Sequence, residues 1–240
     1  MNRNYAILGT ARSGTTLLYR IIKDLSIDFD SRLKDEFFQT DLQGFTVFDS
    51  GSGLYQSDAH FENKNSEIQR RLKLLEKYNY KYTIKCVPHQ LTFDIIQCLI
   101  TNYNIIFCER RDRFDRYLSF LIASKSRVFN SATPIKRNNK IMIEDALIES
   151  FFEIDAQWEV NKKNILEHTT CKVIYYEDLV SNPEHEIKTK TMLNWTDCRT
   201  EHYQHLVKLN SQKEKENLIE NLDYVITRFN HYQNNHESPE

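Results

Sequence analysis

Four short runs constrain this chain more than any other feature: Tyr5 to Leu8, Tyr82 to Cys86, Asn104 to Cys108 and Lys172 to Tyr176. Each is rich in β-forming residues and too continuously apolar to be a strand with one wet face. Strands of that kind are buried on both sides, so helices must cover the sheet above and below. The stretches between them fit that demand. Apolar residues at helical spacing predict helices over Thr15 to Leu25, Glu62 to Tyr78, Gln90 to Ile100, Phe114 to Ala123 and Ile143 to Leu166. The last carries Leu147, Phe151, Ile154 and Trp158 on one stripe. Pro183, just after Asn182, marks the first turn of another helix, and Lys213 to Phe229 predicts a charged terminal helix with an apolar seam. Strands alternating with helices predict an α/β fold around a central, mainly parallel sheet.

A chain of 240 residues suits one such domain, over residues 1–230, followed by a polar and flexible tail over 231–240. No repeat or low-complexity linker divides it. Lys and Arg number 32 against 34 Asp and Glu, so a net charge of -2 gives no whole-molecule field toward nucleic acid or anionic lipid. Any anion site must be local. No apolar run reaches the length of a membrane span, and the chain enters its first strand without a signal-peptide core, so the expected setting is cytoplasmic. The five cysteines (Cys86, Cys98, Cys108, Cys171 and Cys198) are spread through apolar segments rather than paired at metal spacing, which predicts reduced packing thiols and no metal. Phe129 to Lys140, polar, basic and broken by Pro134, reads as a solvated connector or as a lid or acceptor-binding loop. Asp49 to His60, with Gly51 and Gly53, is similarly irregular.

The loop Gly9-Thr-Ala-Arg-Ser-Gly14-Thr15-Thr16 lies between a predicted strand and a predicted helix. In that setting backbone N–H groups converge on a phosphate at a helix N-terminus, the geometry of a P-loop. The lysine that an NTPase loop carries after its last glycine is here Thr15, and no strand ends in a clear metal-binding carboxylate, which argues against an ordinary NTPase. Arg12 instead supplies a cation two residues before Gly14, able to reach past a bound phosphate toward a leaving group. A second basic segment, Arg111-Asp-Arg-Phe-Asp115-Arg-Tyr-Leu-Ser119, follows the third strand. An arginine fork and a hydroxyl at a helix start can hold a terminal phosphate by charge-assisted bonds. For Arg110, Arg113 and Arg116 the expectation is a solvated basic helix surface.

Ala11 to Leu18 resembles the 5′-phosphosulfate loop of the sulfotransferases that use 3′-phosphoadenosine 5′-phosphosulfate (PAPS), and Arg111 with Ser119 resembles that family's 3′-phosphate element, Asp115 matching an acidic residue between them. The family often has proline where this chain has Arg113. Ile174-Tyr-Tyr-Glu177-Asp178-Leu to Asn182-Pro183 is similar to a segment after a late core strand, where Glu177 and Asp178 are expected to bond loop backbone. Lys85-Cys-Val-Pro88-His89 is similar to segments lining the sulfonate site. Arg32-Leu-Lys-Asp35-Glu36-Phe37-Phe38 looks like the segment that supplies a general base. The resemblance spans Tyr5 to about Ile187 and implies a P-loop-like three-layer fold.

It also implies a PAPS-dependent sulfotransferase acting on a hydroxyl or amine by in-line displacement. Arg12, Ser13, Gly14, Thr15, Thr16, Arg111 and Ser119 are then the donor-binding residues, and Arg12, Glu36, Lys85 and His89 the catalytic candidates. Arg12 and Lys85 serve the leaving oxygen and the sulfonate, while Glu36 is the preferred base with Asp35 and His89 as rivals. The partners implied are PAPS, its product nucleotide and an unidentified acceptor: carbohydrate, lipid head group, small metabolite or peptide. A P-loop nucleotide kinase or phosphotransferase, and a non-catalytic nucleotide-binding module, are the competing readings.

Overall fold

A computed structural model of the chain describes residues 5–25, 64–80, 83–126, 140–181 and 211–236. Four strands, β1 (Tyr5–Leu8), β2 (Ile84–Cys86), β3 (Asn104–Glu109) and β4 (Lys172–Tyr175), form one sheet in the order β2-β1-β3-β4. Every pairing is parallel, with Ala6 opposite both Ile84 and Ile105, and Phe107 opposite Val173. The parallel sheet is the one expected, but β4 at its edge is exposed at Lys172 and Val173 rather than buried on both faces, having no strand beyond it among the described residues. β2 begins at Ile84, after Thr83, and Tyr82 lies outside the described residues.

The two-residue period of a strand sorts these side chains between two cores. Ala6, Leu8, Ile84, Cys86, Ile105 and Phe107 meet α2 (Lys64–Lys77), α3 (Phe93–Asn102) and α5 (Asp145–His168) through Leu75, Leu99, Trp158 and Ile165. Phe107 and Trp158 pack edge to face with ring centroids 5.4 Å apart. On the other face Tyr5, Ile7, Ile106, Cys108 and Ile174 meet α1 (Thr15–Leu25) through Leu18 and Ile22, and α6 (Tyr176–Ser181) through Leu179. The result is an α/β architecture, a four-stranded parallel sheet flanked by helices. A third core joins α4 (Arg113–Ser126) and α5 to α7 (Gln212–Leu218) and α8 (Leu222–His236), around Tyr117, Phe151, Phe152 and Phe229.

Three helical expectations change. The helix expected from Gln90 is a 3₁₀ turn, Pro88–Gln90, followed by α3, because the Gln90 side chain accepts the Val87 N–H (3.1 Å) and closes the turn locally. The single C-terminal helix is two. Ile219 leaves helical geometry to bridge Ile141, and the Asn221 amide binds both the N–H and the C=O of Ile143 (3.0 and 2.9 Å). The second of the two then runs on to His236, into the stretch expected as tail, because Tyr232 stacks on Phe152 at 4.0 Å. The helix expected at Pro183 and both irregular loops lie outside the described residues, apart from Lys140 at the end of the second loop. Among the described residues no helix is long and apolar enough to cross a membrane. Cys86, Cys98, Cys108 and Cys171 are free thiols, the first and third buried; Cys198 lies outside.

The strand order determines where a ligand fits. Chain leaving β1 goes to β2 on one flank, and chain leaving β3 goes to β4 on the other. The C-terminal ends of β1 and β3 therefore flank the crevice in which open parallel sheets bind their ligands.

Candidate anion-binding site

Residues 9–14 connect β1 to α1 at that crevice. The loop folds on its own polar groups: both the Ser13 N–H and the Ser13 hydroxyl donate to the Thr10 carbonyl, at 3.3 and 2.7 Å. The buried Cys108 thiol, at the end of β3, donates to the Ser13 carbonyl (3.1 Å). Gly9 passes so close to β3 that a Cβ there would lie 2.3 Å from the Cys108 oxygen. Two residues turn left-handed, Gly14 at φ 91° and Arg12 at φ 68°. Gly14 is required twice over, since a Cβ would also lie 2.6 Å from the Tyr176 ring. In Arg12 the same conformation costs about 1–2 kcal/mol. The helix's own ladder starts with Leu18 N–H to Gly14 C=O (2.9 Å), so the amides of Thr15, Thr16 and Leu17 have no partner within α1.

Lys85 reaches this helix start. Ile84 and Cys86 point into the α3 side of the sheet, so Lys85 between them points to the α1 side, where its Nζ donates to Thr16 Oγ1 at 3.0 Å. It is 1 % exposed, a lysine inside the fold rather than one snorkelling at a sheet edge. Arg12 is half-buried. Burial, and after it the adjacent Arg110, hold its pKa below the ordinary arginine value, while Tyr176 and Asp115 act in the opposite direction. It remains a cation, because arginine starts so high.

The opposite wall is the segment after β3, and here the expectation for the flanking arginines is corrected. Arg110 is not a solvated residue; its side chain is 5 % exposed. Its guanidinium pairs with Asp115, lies 4.4 Å over the Tyr176 ring, and donates at 3.3 Å to both the Arg12 carbonyl and the Ser119 hydroxyl. Arg116 is buried too, donating to Asp155 and Thr10 Oγ1, while the partly exposed Arg113 takes the other oxygen of Asp155. Burial of these cations is tolerable because each finds a carboxylate. Asp115 is shared in the same way, its second oxygen taken by Lys215 of α7.

Arg111 and Ser119, expected as a pair, have different partners. Arg111 is 51 % exposed, forks onto Asp178 with two bonds of 2.9 Å, and lies 4.1 Å over Tyr175. Its hydrogen bonds to Asp178 raise its pKa further. Ser119 is buried on α4 against Arg110. Glu177 bonds loop backbone as expected, accepting the N–H groups of Arg111 (3.1 Å) and Asp112 (3.3 Å), and Asp178 holds the Arg111 side chain. Asp112 in turn caps α4, its carboxylate accepting the Asp115 N–H at 2.7 Å. His89 is exposed on the 3₁₀ turn after β2. Glu36 and Asp35 lie outside the described residues. Among the described residues no group of three or more His, Cys, Asp or Glu side chains is arranged to hold a metal.

The sequence reading missed Arg110, Tyr176, Asp155 and Lys215. Arg110 had a usable signal, since it directly follows a strand whose end faces the loop. Asp155 and Lys215 had none, because their partners are distant in the chain. No family model matches this sequence, and no curated protein matches it.

Proposed function

We propose that this chain is a PAPS-dependent sulfotransferase on a P-loop-like α/β fold. The observation that carries the reading is the placement of Arg12: a half-buried cation on a left-handed turn, between the start of α1 and the end of β3, with Lys85 bonded to Thr16 beside it. Such a donor set suits a sulfonated, phosphorylated anion. Amides at the helix start and the hydroxyls of Thr15 and Thr16 suit a 5′-phosphate, and Gly14 supplies the left-handed turn before them, close against the Tyr176 ring. Arg111 and Ser119 are assigned to the 3′-phosphate, and Arg110, bonded to Ser119, joins them.

PAPS supplies an activated sulfonate on a good leaving group. In the displacement a bond forms between the acceptor oxygen (or nitrogen) and sulfur as the bond from sulfur to the bridging phosphate oxygen breaks. Arg12 answers the negative charge that grows on that bridging oxygen, the role of a preorganised electrostatic stabiliser. Lys85 holds a sulfonate oxygen. Glu36 takes the acceptor's proton, with Asp35 and His89 as the other candidates for that role.

A second reading, a nucleotide phosphotransferase, draws on one observation: Lys85 brings to the helix start the lysine that the loop itself lacks. Ligand linkage separates the two. Adenosine 3′,5′-bisphosphate is expected to raise the melting temperature far more than adenosine 5′-monophosphate, and radiolabelled PAPS is expected to label one chemical class in fractionated extracts. Equal stabilisation by both nucleotides, or a preference for ATP with magnesium, overturns the sulfotransferase reading.

A further inference from the structure

We infer that Lys215, on the C-terminal helix α7, is a positioning residue for the anion site: it offsets Asp115 so that the neighbouring Arg110 stays cationic toward a ligand. The inference rests on the reading above for the ligand's identity, not for its charge. Asp115 is a single buried carboxylate with two cations on it, Arg110 on one oxygen and Lys215 on the other, with side chains 5 % and 8 % exposed. Of the other Arg110 nitrogens, Nε lies 3.7 Å from Glu177 and Nη1 donates to the Arg12 carbonyl and Ser119 Oγ, so this ion cluster borders the β1–α1 loop directly.

Asp115 carries one negative charge against the two cations on it, and Glu177 adds a second carboxylate 3.7 Å from Arg110 Nε, so Lys215 matters by the charge its loss removes. Take Lys215 away and the field that an incoming anion meets through Arg110 falls by a full positive charge, in surroundings where burial leaves that charge weakly screened. The position of α7 is fixed independently of this pair. Ser211 caps it by accepting the Glu214 N–H, and its end is tied into the Ile141–Ile219 bridge. Lys215 is therefore delivered to Asp115 by the fold of a segment that lies far from the loop in sequence. In this arrangement α7 contributes its charge to the site through Asp115.

Inorganic pyrophosphate and adenosine 3′,5′-bisphosphate, titrated by calorimetry on the full chain, test this separately from the enzyme class. Lys215→Met is expected to weaken both by about tenfold, the size of one partly screened charge. Lys215→Arg is expected to bind as the parent does. The double variant Lys215→Met/Asp115→Asn restores the net charge and is expected to recover affinity to within about threefold, even though urea unfolding shows it to be less stable than the parent. A structural role predicts the reverse, a double variant at least as weak as Lys215→Met, and that result overturns the inference. So does an unchanged Lys215→Met. If the parent binds pyrophosphate but not the bisphosphate nucleotide, the sulfotransferase reading fails and Lys215 is judged on pyrophosphate; a parent that binds neither overturns both.

Discussion

Two segments, one carrying Arg12 and the other a run of arginines, face each other at the ends of β1 and β3, and they are held in different ways. The β1–α1 loop is shaped by backbone, hydroxyl and thiol bonds, and Lys85 beside it is anchored on a hydroxyl. The segment after β3 is tied by carboxylates: Asp115 to Arg110, Asp178 to Arg111, Asp155 to Arg113 and Arg116. A carboxylate draws part of a cation's charge into the fold. The second wall therefore combines structural ties with grip on an anion, its carboxylates fixing where Arg110 and Arg111 stand.

The largest effect that sharpens this contrast is expected at Asp155. It is buried at 2 % exposure under two arginines, so Asp155→Ala leaves both without their anion and costs about 3–5 kcal/mol in urea unfolding. A loss below about 1 kcal/mol would break the contrast, because the carboxylates would then not be structural. Next comes Arg12→Ala, expected to lower kcat for sulfonate transfer by about two to three orders of magnitude while product-nucleotide affinity changes far less. A defect lying entirely in donor binding would assign Arg12 to ground-state grip. The smallest effect separates the two neighbours on the second wall. Arg111→Ala is expected to leave the urea midpoint unchanged, because that arginine is half exposed, yet to cut the preference for adenosine 3′,5′-bisphosphate over the monophosphate by about tenfold. Loss of stability with the preference intact would make Arg111 another tie of the fold.

What was legible in the sequence follows from the range of the forces involved. Strand continuity, helical stripes and the glycine turn are local patterns, so β1, α1, β3 and α5 fall where Tyr5, Thr15, Asn104 and the Phe151–Trp158 stripe place them. Glu177 is assigned to loop backbone only by the resemblance of its Tyr-Glu-Asp-Leu segment, since no local pattern in the chain marks its partners. Arg116 was not legible as a buried residue, and Arg110 only by its place directly after β3. Charged residues at a helix start read as solvated unless their counter-ions are known, and Asp155 and Lys215 arrive from α5 and α7 through tertiary packing. The break at Ile219 is of the same kind, since its bridge partner is Ile141.

The position of β1 in the sheet has a further consequence, for the order in which the chain can fold. Its four residues are all buried, and both of its hydrogen-bonding neighbours, β2 and β3, come much later in the chain. Tyr5 to Leu8 therefore have no strand to pair with until Ile84 and then Asn104 have emerged from the ribosome. Non-local parallel pairing of this kind is slow to nucleate, because loop closure comes before any contact rewards it. Until then an apolar strand with two open edges is exposed on the nascent chain, a state prone to aggregation. The central strand that frames the candidate anion site is thus also one that must stay unaggregated until its partners emerge.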